Sequence, residues 1–86
     1  MAHDADTHAI VLAFSWRLRD TRTASRLTQD RLARLSGVHI TEISKLERAL
    51  TDPRLSTIVR LARGLDVSTS TLVEGHYQDP QLTLEG

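Results

Sequence analysis

The chain has 86 residues, enough for one small core and close to the lower limit for a domain that folds without staples. It has no cysteine, which excludes a disulfide framework and thiolate metal ligation. Formal net charge is zero, yet all 11 Lys and Arg residues lie between Arg17 and Arg63 against five acids in that window, a net +6, with acidic ends on either side. A basic middle suits a polyanionic partner; a set of solvated, Arg-rich helix faces is the plainer alternative.

The longest apolar run, Ala9 to Phe14, is six residues, against the roughly 20 needed to cross a bilayer. No signal peptide is visible. The expectation is a soluble cytoplasmic protein with no membrane contact.

Strand signals are nearly absent: there is no alternating run, no Asn-Gly turn, and one each of Phe, Tyr and Trp. Helical spacing predicts an all-α domain over 9–75, with an N-terminal extension over 1–8 and a tail over 76–86. The first helix runs from about Thr7 to Ala24. Ile10, Val11, Phe14 and Leu18 share one face and form its core stripe. Thr21 and Ser25 continue that face with polar groups, so its end packs less tightly. Ala9, Leu12 and Trp16 fall on the opposite side, a second apolar stripe that one small core cannot bury.

Thr28 is placed to N-cap a second helix, its hydroxyl accepting from an amide one turn on. This helix buries Leu32, Ala33 and Leu35 and ends at Gly37, which adopts a left-handed conformation without a Cβ clash. The third helix spans about Ile40 to Arg48, burying Ile43 and Leu46 and turning Thr41, Ser44, Lys45 and Arg48 outward. Pro53 breaks the chain before a fourth helix, about Leu55 to Gly64, with Leu55, Ile58, Leu61, Ala62 and Leu65 inward. Ser68 caps a short fifth helix, Thr69 to Glu74, anchored by Leu72. Gly75 to Gly86, which contains Pro80, reads as extended or disordered chain.

Ala33, Gly37 and Ile43 have a spacing with a purpose. Two helices crossing steeply through a tight turn need a small residue under the crossing, a turn residue tolerant of an unusual backbone angle, and an apolar pin beneath the second helix. These three supply them in order, as in a helix-turn-helix whose second helix fits a major groove. An ordinary helical hairpin is the competing reading.

The wider sequence adds to this. Leu27-Thr28-Gln29, Leu32-Ala33, Gly37-Val38, Ile43-Ser44-Lys45-Leu46-Glu47-Arg48 and the Pro53 to Leu65 helix together closely resemble the phage-repressor (Cro/XRE-type) helix-turn-helix family, over about Phe14 to Gly75. The resemblance implies a compact five-helix, lambda-repressor-like fold that binds duplex DNA as a symmetric dimer. Three positions depart from the family pattern. Arg26 stands where glycine usually ends the first helix, so a left-handed arginine or a longer turn is expected. Thr21 replaces a usual leucine, and Ala49 replaces the glycine after the third helix.

By helical phase, Thr41, Ser44 and Lys45 are the base-reading candidates. Lys45 can donate to guanine, and Thr41 can hydrogen-bond or touch a thymine methyl. Ile40 either leans into the groove or sits at the core edge. Glu42 favours the helix N-terminus electrostatically, with cytosine N4 as an alternative role. Phosphate contacts position such a domain without reading sequence. The resemblance assigns one to Gln29 at the start of the second helix. His39, Arg48 and Arg54 are further candidates, while Arg31 and Arg34 read as solvated. The resemblance also implies a largely buried ion pair between Arg22 and Glu47 that orients the third helix.

A dimer doubles a short reading helix, and predicts inverted half-sites about one helical turn apart. The resemblance points to the fifth-helix region, through which relatives of this size often dimerise, here Val67 to Val73 with Leu72 between them. The stripe carrying Ala9, Leu12 and Trp16 is a rival or additional dimer surface, or is covered by Tyr77 and Leu82 of the tail.

Nothing points to an enzyme: no phosphate-cradling glycine loop, no nucleophile beside a base, and no catalytic, metal or cofactor constellation. A second class of function is an interaction module on the same fold, such as an antitoxin with a protein partner. The favoured reading is a small dimeric transcriptional regulator, repressor or activator. With no room for a ligand-sensing domain, control is expected to come through the protein's own concentration. That pattern resembles phage repressors and the controller proteins of restriction–modification systems.

Overall fold

The computed structural model describes residues 5–73, which form five helices: α1 (Ala5–Ala24), α2 (Gln29–Ser36), α3 (Ile40–Glu47), α4 (Leu55–Leu65) and α5 (Thr69–Val73). No strand occurs among the described residues. α1 begins inside the expected N-terminal extension. The tail, with Tyr77 and Leu82, lies outside the described residues.

One core joins the helices. Phe14 and Leu18 of α1, Leu32 of α2, Ile43 and Leu46 of α3, Leu61, Ala62 and Leu65 of α4, and Leu72 of α5 are buried together with Val38. α4 packs against α2 and α5, α1 against α3 and α5, and α2 against α3. Arg17 adds a tie between α1 and α5, its Nε donating to the Thr71 carbonyl at 3.1 Å.

Three expected core residues are exposed. Ile10 lies on the rim of a groove it shares with Phe14, Pro53 and Val73. Leu35 falls on the flank of α2, because the buried direction runs through Leu32 toward Ser36 and Ala33. Leu55 is 74% exposed in the first turn of α4, at the far end from the point where α4 meets α2.

That meeting point is Gly64. α4 continues through it to Leu65, so Gly64 is an interior helical residue and not a terminator. A Cβ there would stand 2.9 Å from Ser36 Cβ and 3.0 Å from Ser36 Cα. Glycine lets the two helices touch backbone to backbone.

The helix ends explain the departures from glycine. Arg26, Ala49 and Asp66 all have left-handed backbones, with φ of 62°, 58° and 58°. In each case the following amide reaches back to an orphan carbonyl: Leu27 N–H to Arg22 O, Leu50 N–H to Lys45 O and Val67 N–H to Ala62 O. The hydrogen bonds that close the helix hold the strained residue in place. Ser68 does not cap α5 as expected with its hydroxyl; the Thr71 amide bonds the Ser68 carbonyl, while Ser68 Oγ meets Ser70 Oγ and Thr71 Oγ1.

Candidate nucleic-acid interface

The turn between α2 and α3 is closed by short-range chemistry. Thr28 Oγ1 accepts from the Arg31 amide at 3.0 Å and starts α2. Gly37, at φ 76°, ends it with its N–H on the Ala33 carbonyl. Ser36 Oγ then accepts from the Val38 amide at 3.1 Å, and the Val38 side chain turns into the core. His39 caps α3, its Nδ1 accepting from the Thr41 amide at 3.1 Å. That bond requires an unprotonated Nδ1, so the ring proton sits on Nε2 and remains available as a donor.

α3 has two distinct faces. Ile43 and Leu46 are 0% and 1% exposed and pin it from beneath. Thr41, Lys45 and Arg48 are exposed on the other side, one turn apart, and Ser44 between them is half-buried. Ile40 is 38% exposed in the first turn, beside a shallow groove lined by Ala33, Gly37 and His39. Glu42 is half-buried in a polar groove with Asp52, Arg54 and Thr57.

Behind α3 lies a buried polar network. Arg22 Nε donates to Glu47 Oε2 at 2.6 Å, and Arg22 Nη2 to Glu47 Oε1 at 2.9 Å. The two side chains are 13% and 3% exposed. Arg22 Nη1 also donates to the Leu27 carbonyl at 2.8 Å, tying the α1–α2 turn to the pair. The hydrogen bond to Glu47 raises the Arg22 pKa, and burial only partly opposes it. Gln29 joins the network, its Nε2 donating to Glu47 Oε1 at 3.0 Å. The residue expected to face phosphate is thus also bonded inward.

The other candidates are distributed as follows. Arg48 is exposed and folds back so that its Nε donates to the Ser44 carbonyl at 3.2 Å. Arg54 is exposed at the start of α4, but Glu42 and Asp52 share its groove. Arg34 pairs on the surface with Asp30 at 3.0 Å. Of the dimer candidates, Leu72 is corrected: it is 0% exposed, sealed in the core, and cannot meet a second chain. Val67 is half-buried against the core. Val73, Leu12 and Trp16 remain exposed, and the Arg19 guanidinium lies 5.2 Å from the Trp16 ring centroid. Ile10, wrongly placed inside by its helical phase, adjoins Val73 in the apolar groove between α1 and α5.

Sequence reasoning missed two features, the Gln29–Glu47 bond and the Gly64–Ser36 contact. The first joins residues 18 apart with no periodic signal. The second had one: Gly64 sits inside a helical pattern that runs on to Leu65, where glycine is unfavourable unless a close approach requires it.

Comparison with known proteins agrees with this geometry. Residues 13–74 match the family described as a helix-turn-helix domain. The control protein C.SmaI of Serratia marcescens is 38% identical over 56 residues, 65% of this chain and 67% of that protein. The crystal structure of the restriction-modification controller protein C.AhdI from Aeromonas hydrophila superposes with a TM-score of 0.70 at 37% identity, over 72% of this chain and 94% of that one. An HTH_3 family transcriptional regulator from Vibrio cholerae gives a TM-score of 0.76 at 28% identity, over 87% of this chain and 40% of that one.

Proposed function

The chain belongs to the helix-turn-helix domain family, and from that premise we propose that it is a DNA-binding transcription regulator acting as a homodimer on a palindromic operator. One observation carries this reading: α3 is pinned by buried Ile43 and Leu46 while Thr41 and Lys45 stand free on its outer edge. Thr41, Ser44, Lys45 and Ile40 read bases in the major groove. Gln29, His39, Arg48 and Arg54 hold the phosphate backbone, His39 through the Nε2–H that its capping bond leaves over. The family is one of regulators and not of enzymes. No helix among the described residues is long and apolar enough to cross a membrane, in keeping with work beside DNA in the cytoplasm.

Two copies meet, on this reading, through the α5 end of the fold, where Val73 and Ile10 expose an apolar groove. Dimerisation makes operator occupancy depend steeply on protein concentration. The exposed Leu12 and Trp16 on the outer side of α1 favour a second contact with another protein, as an antitoxin-like module would make.

Selection of bound duplexes from a random pool, at two salt concentrations, tests the proposal. The expected product is an inverted repeat with half-sites about 10 bp apart, bound more weakly as salt rises. Failure to enrich any sequence at low salt overturns it.

A further inference from the structure

Gln29 stands at the first position of α2, and its side chain crosses to α3 to donate its amide nitrogen to Glu47 Oε1. A carboxylate only accepts hydrogen bonds, so this contact admits the nitrogen end of the amide and excludes the oxygen end. An unrestrained glutamine turns either end outward, and its carbonyl oxygen would repel a phosphate. Tied to Glu47, the amide keeps one orientation. One N–H is engaged inward, the second diverges from it in the amide plane, and Gln29 is only half-buried, leaving room for another contact.

Glu47 is itself immobilised. Arg22 grips both carboxylate oxygens and is held in turn by the Leu27 carbonyl. The guanidinium also neutralises a carboxylate that would otherwise oppose an approaching phosphate.

From this geometry we propose that Glu47 is a positioning residue for DNA binding: it fixes the Gln29 amide so that the backbone phosphate always meets a donor. The inference rests on the reading above that Gln29 contacts phosphate. It adds a relay, Arg22 to Glu47 to Gln29, through which a buried ion pair acts on the DNA backbone without touching it.

The test is a coupling measurement with the full chain and a duplex taken from the random-pool selection. Gln29→Ala should weaken binding about tenfold in the otherwise unaltered chain, the size of one hydrogen bond to a charged group. Replacing the pair with apolar side chains (Arg22→Met with Glu47→Met) avoids a stranded charge and preserves folding. In that background Gln29→Ala should cost less than about threefold, the remainder of a hydrogen bond whose donor is no longer oriented. Arg54→Ala, remote from the relay, should cost the same in both backgrounds. An equal loss from Gln29→Ala in both backgrounds, or a lost Arg54 effect in the double-Met chain, overturns the proposal while leaving duplex binding intact. A chain that binds no duplex refutes the underlying reading instead.

A second measurement needs no variant. In the 15N-labelled protein, one Gln29 side-chain amide proton should be shifted by the carboxylate before DNA is added and stay so afterwards, while the other moves on titration with the duplex. If the first proton loses its shift in the complex, Gln29 leaves Glu47 on binding and the proposal fails.

Discussion

Glu47→Ala removes one carboxylate and three hydrogen bonds at once: two from Arg22, at 2.6 and 2.9 Å, and one from Gln29 at 3.0 Å. Arg22 keeps only its bond to the Leu27 carbonyl, in a site where its side chain is 13% exposed. A guanidinium does not shed its proton to escape such a site. Breaking one partner from a buried pair costs about 3–5 kcal/mol. A domain of this size has a total stability of roughly 3–10 kcal/mol. The variant should therefore be mostly unfolded at 37 °C, or show a urea midpoint lowered by at least ~2 M at a slope of about 1–1.5 kcal/mol per M. Far-UV circular dichroism against urea measures this. The double replacement Arg22→Met with Glu47→Met should recover most of the loss, because no charge is left stranded. A Glu47→Ala variant within about 1 kcal/mol of the parent would refute the reasoning, since an exposed pair is worth no more than that. The sign of the pH dependence also follows. Arg22 has a raised pKa, so its contribution is complete below the ordinary guanidinium value and is lost only as pH rises through the raised one. From neutral to moderately alkaline pH, Arg22 should add no slope to stability.

Three other outcomes are expected. Gly64→Ala gains about 1 kcal/mol of helix propensity but presses a methyl against Ser36, an overpacking cost of about 1–3 kcal/mol, so the melting temperature should fall by several degrees; a rise in calorimetry would show that α2 and α4 separate freely. Arg26→Gly relieves a left-handed arginine worth about 1–2 kcal/mol against about 0.5–1 kcal/mol of added chain entropy, so the urea midpoint should rise slightly; a clear drop would mean the Arg26 side chain contributes more than its backbone costs. In DNA binding, Lys45→Ala should relax preference at one base position, whereas Arg54→Ala should weaken all sites alike and reduce the salt slope by about one or less, Glu42 and Asp52 already offsetting part of its charge. Unaltered selectivity in the first variant, or base-specific loss in the second, would reverse the two assignments.

The fold was legible because its local signals agree. Thr28 and Gly37 bound α2 by chemistry readable from single residues, and the Ile43–Leu46 spacing placed the buried side of α3. Periodicity failed at Leu35 by phase, since that residue falls on the flank of α2, and at two other residues by position along a helix. Ile10 and Leu55 share the phase of their core stripes but lie near helix ends, where no neighbouring element covers them. Leu72 failed in the other direction: a five-residue helix has one anchoring side chain, and the core claimed it before a second chain could. The turns at Arg26 and Ala49 could be located but their conformation was open, because left-handed backbone there depends on hydrogen bonds closed by the fold. In the candidate site, the outward residues of α3 followed from phase alone. The attachment of Gln29 to Glu47 did not, since two helices had to be set side by side before an amide could find that carboxylate.

α3 is eight residues long, about 12 Å, and is fastened at its two ends by different means: an imidazole at the front and an ion pair at the back. Such a short rod behaves as a lever, so a displacement of about 1 Å at the Glu47 anchor swings the leading tip by roughly five degrees. Its fastening and reading surfaces alternate along one stretch of chain yet share no side chain. If Thr41 and Lys45 read bases as proposed, a descendant could exchange them for a different operator and leave the mounting untouched. The mounting, by contrast, has little freedom to drift.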